Sequence, residues 1–291
     1  MASLRDLKRQ IGSIQNISKV TDALQAVSAV KFRRAEARVK KARPYAENVE
    51  EMMRDIASKS TSSNPLMVGR ENVSTVAVAT LTSDRGLAGG FNAQVLRRTM
   101  RFRQEQSADL VQVASGRKGI GFFRFRRIRL AEEYSGFSDT PTYEKAREIG
   151  RRLTGLFQDE EADEVYLIYN RFVNAAVQQP VVTRLLPVAP EDGEEDEDNG
   201  DDSGNPYEFV EDADEILKRL VPKYVETMVW QALLEGAAGE HGARMTAMKN
   251  ATDNANELVD TLTLQMNKAR QAQITQEILE IVSGAEALSS G

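Results

Sequence analysis

Apolar residues recur at three- and four-residue spacing from the start of the chain: Leu4, Leu7, Ile11 and Ile14, then Thr21 and Leu24. Ile17 stands beside this seam, where the strict position is Ser18. A seam of that period predicts a helix that meets a second helix along its length. Ala23, Ala26 and Ala29 would let a partner backbone come close. Pro44 is expected to bend or interrupt the helix, because it has no N–H and its ring crowds the preceding turn. The polar run SKSTSSNP at 58–65 marks a boundary, so the first element is expected over residues 1–57.

The period then changes. VSTVAVATL (73–81) is a β-branched apolar run that predicts a buried strand, followed by the turn SDRGLAGG. Helices are predicted over 91–104 and 142–157, and further strands over 108–115, 164–172 and 179–188. Strand–helix–strand order argues for a small α/β domain with a largely parallel sheet at 72–190.

The acidic tract 191–205 is too charged to pack and is expected as a solvated surface loop. Helical periodicity returns over 208–288, with no proline after Pro222, enough to span about 100 Å at ~1.5 Å per residue. Met245, Met248, Thr252, Ala255, Val259, Leu262, Met266 and Ala269 keep the same spacing. The seam then shifts to Ile274, Ile278 and Ile281, as a four-residue stutter would produce. A helix of this length needs a partner, and the N-terminal helix is the one the chain offers. The expected architecture is α/β with long helices: an antiparallel two-helix coiled coil from the two chain ends, with the small α/β domain inserted. The longer C-terminal helix should run past its partner. Gly236, Gly239 and Gly242 either permit a close backbone approach or let that helix bend.

With 41% hydrophobic and 28% charged residues, the 291-residue chain is expected to fold rather than stay disordered. Having no cysteine excludes disulfides and thiolate nucleophiles and fits a reducing compartment. The one histidine, His241, argues against a histidine metal site or a Ser-His-Asp hydrolase, and among its glycine neighbours a solvated helical position is expected. No apolar run approaches the ~20 residues needed to cross a bilayer, and the N-terminus lacks an apolar signal core. A soluble or peripheral protein, made and kept in the cytoplasm, is therefore expected. The net charge of −6 hides an asymmetry: residues 1–43 carry eleven Lys/Arg against three acids, while 191–202 carries nine acids and no base. Ends so different in charge suit differently charged partners.

Candidate chemistry is thin. SDRGLAGGF after a strand looks like a phosphate loop but lacks both the G-x-G-x-x-G spacing and a Walker lysine, so Asp84 and Gly86 read as turn residues. GRKGIGFFRFRR (116–127) mixes bases with aromatics as some nucleic-acid surfaces do, yet a solvated helix face explains it as well. Glu132 and Glu133 have no apolar frame to shift their titration. No catalytic, cofactor or metal site is expected. The residues by themselves indicate a scaffold, lever or interaction protein, with a nucleotide-binding α/β enzyme as a distant alternative.

Two end segments go further. ITQEILEIVSGAEAL (274–288) resembles the signature of F-type ATP synthase gamma subunits through Ile274, Thr275, Glu277, Glu280, Gly284 and Ala285. ARMTAMKNATDNANELVDTLTLQMNKARQAQ (243–273), IQNISKVTDALQAVSAVKFRRAEARVKKARPYAE (14–47) and the turn SDRGLAGGFN (83–92) are similar to the same family, bacterial type. Leu24 stands where many members have Met, and Asp22 where a lysine is frequent.

The resemblance implies a non-catalytic rotor shaft in a ring of three alpha and three beta subunits. Its globular foot would meet the epsilon subunit and the c-subunit ring, and it would couple proton-driven rotation to ATP synthesis. It also implies a peripheral position on the cytoplasmic face of the cell membrane, held indirectly through the c ring, and no nucleic-acid partner. By motif match, Arg244, Gln271 and Thr275, with Leu24, Lys31, Arg33 and Arg34, are the expected beta-subunit contacts. Tyr207 and Glu208 are the expected contacts to the c ring and epsilon subunit. A coiled-coil scaffold unrelated to ATP synthesis is the alternative.

Overall fold

The computed structural model describes residues 4–59, 66–67, 69–70, 72–188 and 213–289. The acidic tract, Tyr207 and Glu208 lie outside the described residues. Two compact units emerge: the residues up to Ser28 with those from Met245 onward, and Ala29–Arg244.

The second unit is built on one sheet. β1 (Thr75–Leu81) is buried at every position but its first, as its run of valine and alanine dictates for a strand covered on both faces. β2 (Asp109–Ser115), β3 (Leu130–Tyr134), β4 (Glu164–Phe172) and β5 (Gln178–Leu186) complete it in the order β3-β2-β1-β4-β5. β3, β2, β1 and β4 run parallel, and β5 returns antiparallel beside β4. β3 was not foreseen. Its sequence LAEEY alternates half-covered and exposed residues, as an edge strand does, and lacks a continuous apolar run.

The alternation of β1 sends Ala77, Ala79 and Leu81 to one face and Val76 and Val78 to the other. On the first face, α4 (Tyr143–Gln158) contributes Ile149, Leu153, Leu156 and Phe157 to the main core. The long α5 (Ala213–Ser289) adds Val221, Val225, Val229 and Ala232. On the second face, α2 (Phe91–Glu105) lays down Val95 and Phe102. The short α3 (Arg117–Phe125) buries Phe123 against Leu96 and Ala114.

α1 (Leu4–Lys59) passes through Pro44 without ending, contrary to an interruption there. Burial on both sides accounts for it: Val39, Ala46, Val49 and Met53 are all under a tenth exposed, and that packing offsets one missing backbone hydrogen bond. The glycines of α5 are mostly a matter of close approach. A Cβ on Gly242 would lie 2.9 Å from the Ala175 carbonyl oxygen, and one on Gly239 3.0 Å from Phe91 and Gln178. A Cβ on Gly236 would meet nothing within 4 Å.

Candidate functional site

Small and hydroxyl-bearing side chains join the two helices of the coil unit. Thr21 Oγ1 and Thr252 Oγ1 lie 2.6 Å apart, and Ser18 Oγ donates to Asn256 Oδ1 at 2.8 Å. The pairing runs antiparallel, since lower numbers on α1 meet higher numbers on α5. Ser18 therefore occupies the seam after all, and Ile17 is turned out at 52% exposure. Leu7, Met248 and Ala255 are its best-buried apolar residues. Counted outward from the Thr21–Thr252 pair, Leu4 comes about level with Ala269. Beyond that point α5 continues alone: every residue from 270 to 285 is exposed, Ile274, Ile278 and Ile281 included. Val20 and Val27 are likewise more than half exposed on α1. Apolar positions left open in this number mark a surface that a partner covers.

In the other unit, a buried polar network fastens α5 to the loop after β1. The Arg244 guanidinium donates to the Gly86 carbonyl oxygen at 3.1 and 3.2 Å and pairs with Glu240 at 2.6 Å. Its third neighbour is His241 Nδ1, at 3.4 Å. His241 is 1% exposed, which overturns the expectation of a solvated ring. The packing of Gly239 and Gly242 draws this part of α5 inward, and the sequence pattern could not show it. Burial depresses the His241 pKa and outweighs the nearby Asp139 and Glu240 charges, so the ring is held neutral. Asp139 completes the network through Lys31 at 2.6 Å. Burial alone would raise its carboxyl, but the Lys31 hydrogen bond and the neighbouring positive charges together outweigh it and the pKa is lowered.

The loop 83–90 is held from its other side by Asp84, whose carboxylate accepts the backbone N–H groups of Arg117, Gly136 and Ser138. Burial opposes that charge, yet these donors lower the pKa. Among the described residues no cluster of His, Asp or Glu could hold a metal ion. Arg85 and Leu87 stand exposed at the tip of this loop, Leu87 at a φ of 61°. A bulky side chain in that conformation is strained, and no local pattern in the chain foretells it.

The expected contact residues divide into two kinds. Gln271 and Thr275 are exposed on the unpartnered end of α5, and Arg33 and Arg34 are exposed on α1. Leu24 is half-buried near the seam. Lys31 and Arg244 spend their charges inside the network, on Asp139 and on Glu240 and Gly86. No helix among the described residues is long and apolar enough to cross a membrane.

Residues 3–288 match the family model described as ATP synthase. An ATP synthase gamma chain from Rubrobacter xylanophilus is 76% identical over 291 residues and covers all of both chains. One from Pelotomaculum thermopropionicum is 46% identical over 289 residues, covering 99% of this chain and all of the relative. Among solved structures, a chain of the Euglena gracilis mitochondrial ATP synthase OSCP/F1/c-ring assembly superposes with a TM-score of 0.69 at 16% identity, covering 99% of this chain and 95% of its own. A chain of the Tetrahymena thermophila central stalk/c-ring structure gives 0.59 at 22% identity, covering 80% and 99%. At such identities these two show a shared fold.

Proposed function

This chain belongs to the ATP synthase gamma-chain family, and from that premise we propose that it is the central shaft of an F-type rotor. It carries no catalytic group of its own. It turns with a ring of c subunits and imposes its asymmetry on three catalytic beta subunits, which alternate with three alpha subunits around it. The epsilon subunit completes the rotor, and the assembly sits peripherally at the cytoplasmic face of the cell membrane. The observation that carries this reading is 76% identity to a gamma chain over the full length of both chains. The lone end of α5, exposed from 270 to 285, is what such a shaft presents to a surrounding sleeve.

In this reading Gln271, Thr275, Arg33, Arg34 and Leu24 meet the beta subunits. Arg244 and Lys31 act from behind, by fixing the loop that carries Arg85 and Leu87 and the segment that carries Asp139. Tyr207 and Glu208 meet the c ring and epsilon subunit, a role that rests on the sequence resemblance.

The test is co-expression with the alpha and beta subunits of the same organism, followed by ATPase assay and observation of a bead attached to the sheet unit. A stable complex that turns the bead in one direction is the expected result. Failure to assemble, with alpha and beta shown to be folded, returns the chain to a plain scaffold.

A further inference from the structure

Residues 91–130 of this acidic chain carry ten Lys/Arg against two acids. Part of it is neutralised within the fold, as Arg124 pairs with Glu133 and Arg98 with Glu105. Arg126, Arg127 and Arg129 are different. All three are exposed, and no carboxylate among the described residues pairs with them. They follow α3 and precede β3, so they lie at the sheet edge where the parallel strands begin. Beside them Phe125 is 84% exposed, the most open large apolar side chain among the described residues. Arg126 stacks over the Phe122 ring, 5.5 Å from its centre.

The backbone there is also unusual. Ile128 N–H donates to the Phe123 carbonyl oxygen and Arg127 N–H to that of Arg124, the paired bonds of a helix end closed through a left-handed residue. That residue is normally glycine, but here it is Arg127 at a φ of 58°. Glu160 does the same after α4, at a φ of 60°. A glycine would relieve the strain at either place.

We propose that Phe125, Arg126, Arg127 and Arg129 form a contact site for a bilayer surface carrying anionic headgroups, in addition to any membrane association through partner subunits. The guanidinium groups attract phosphate, and the exposed ring enters the boundary between headgroups and acyl chains. An acidic protein would satisfy the arginines equally. It would leave the ring without a use, because Phe125 stands open rather than in a groove. The proposal stands on this surface alone, and the rotor assay above neither depends on it nor tests it.

The full-length chain is mixed with vesicles of phosphatidylcholine, with and without phosphatidylglycerol, and sedimented. Stronger partition to the anionic vesicles, weakening as salt is raised, is expected. Arg126→Ala with Arg129→Ala should lower that partition at least about tenfold, since each base near such a surface is worth about 1 kcal/mol. Phe125→Ala should lower it several-fold. Arg127→Gly should melt no lower than the wild type and yet bind less, which separates the charge from folding. Arg5→Ala, Lys8→Ala and Arg9→Ala together, on α1, should leave partition unchanged. Equal partition to both vesicle types overturns the proposal, as does a matching loss in the α1 variant or full binding by Arg127→Gly. If soluble polyglutamate binds as tightly and Phe125→Ala binds it equally, the surface reads an acidic protein and the lipid assignment fails.

Discussion

In the sheet unit, Val76, Ala77, Val78, Leu153, Leu156 and Phe157 have no exposed surface at all, while in the coil the best-covered apolar residues, Leu7, Met248 and Ala255, keep 6–7%. The sheet unit closes on aliphatic and aromatic side chains packed from two faces. The coil closes on threonine, serine and alanine interspersed with leucine and methionine along one seam, and leaves Ile17, Val20 and Val27 open. Packing of the first kind is dense and fixes one arrangement. A seam of hydroxyls gives less energy per residue and specifies its register through a few hydrogen bonds. The difference suits a body that must stay rigid and a rod that must be covered by something else.

The largest effect should come from cutting into that density. Leu153→Ala, at a site with no exposed surface, is expected to cost about 3 kcal/mol in urea unfolding. Leu262→Ala, half-buried on the seam, should cost clearly less; equal losses would mean that the two units are packed alike.

Buried charge comes next. Asp163 accepts from Arg70 and from the N–H groups of Ser74 and Thr75. Burial alone would raise its carboxyl, but these donors hold the pKa far below the ordinary 3.8. A depressed carboxylate stabilises the fold above its unfolded pKa, so this contribution is complete at neutral pH and fades as pH falls below about 3.8. Asp163→Asn should cost about 2 kcal/mol at pH 7, a cost that shrinks in acid. His241 has the converse chemistry. Its pKa is depressed below 6.5, so the unfolded chain takes the proton first and stability declines as pH drops below that value. An unfolding midpoint that stays level between pH 7.5 and 5.5 in wild type would contradict a buried neutral ring.

The glycines of α5 offer a pair with opposite signs. Gly242→Ala should destabilise by about 1–3 kcal/mol, because the new Cβ meets a carbonyl oxygen. Gly236→Ala should stabilise by about 1 kcal/mol, having nothing to meet. Thermal unfolding of both variants decides it. The smallest effect belongs to the seam: Thr21→Val alone should cost about 1 kcal/mol, and adding Thr252→Val should recover most of it.

Much of this was legible in the chain. The seam positions Met248, Thr252, Ala255, Val259, Leu262, Met266 and Ala269 on α5 are all at least partly covered, and Ile274, Ile278 and Ile281 are open as the overhang predicts. β1, β2, β4 and β5 fall within two residues of their expected spans, because continuous apolar runs are local signals. β3 escaped for want of such a run. Of the expected contact residues, Gln271, Thr275, Arg33 and Arg34 are exposed, while Lys31 and Arg244 are bound to their own fold.

The sequence by itself determined the periods, hence the long helices, most of the strands and the seam positions, since each depends on neighbours a few residues away. Tertiary structure alone decided the burial of His241, the engagement of Arg244 with Gly86 and of Lys31 with Asp139, and the reason for Gly242. Those contacts join residues scores of positions apart, and whether a polar side chain finds water or a partner depends on which backbone folds over it.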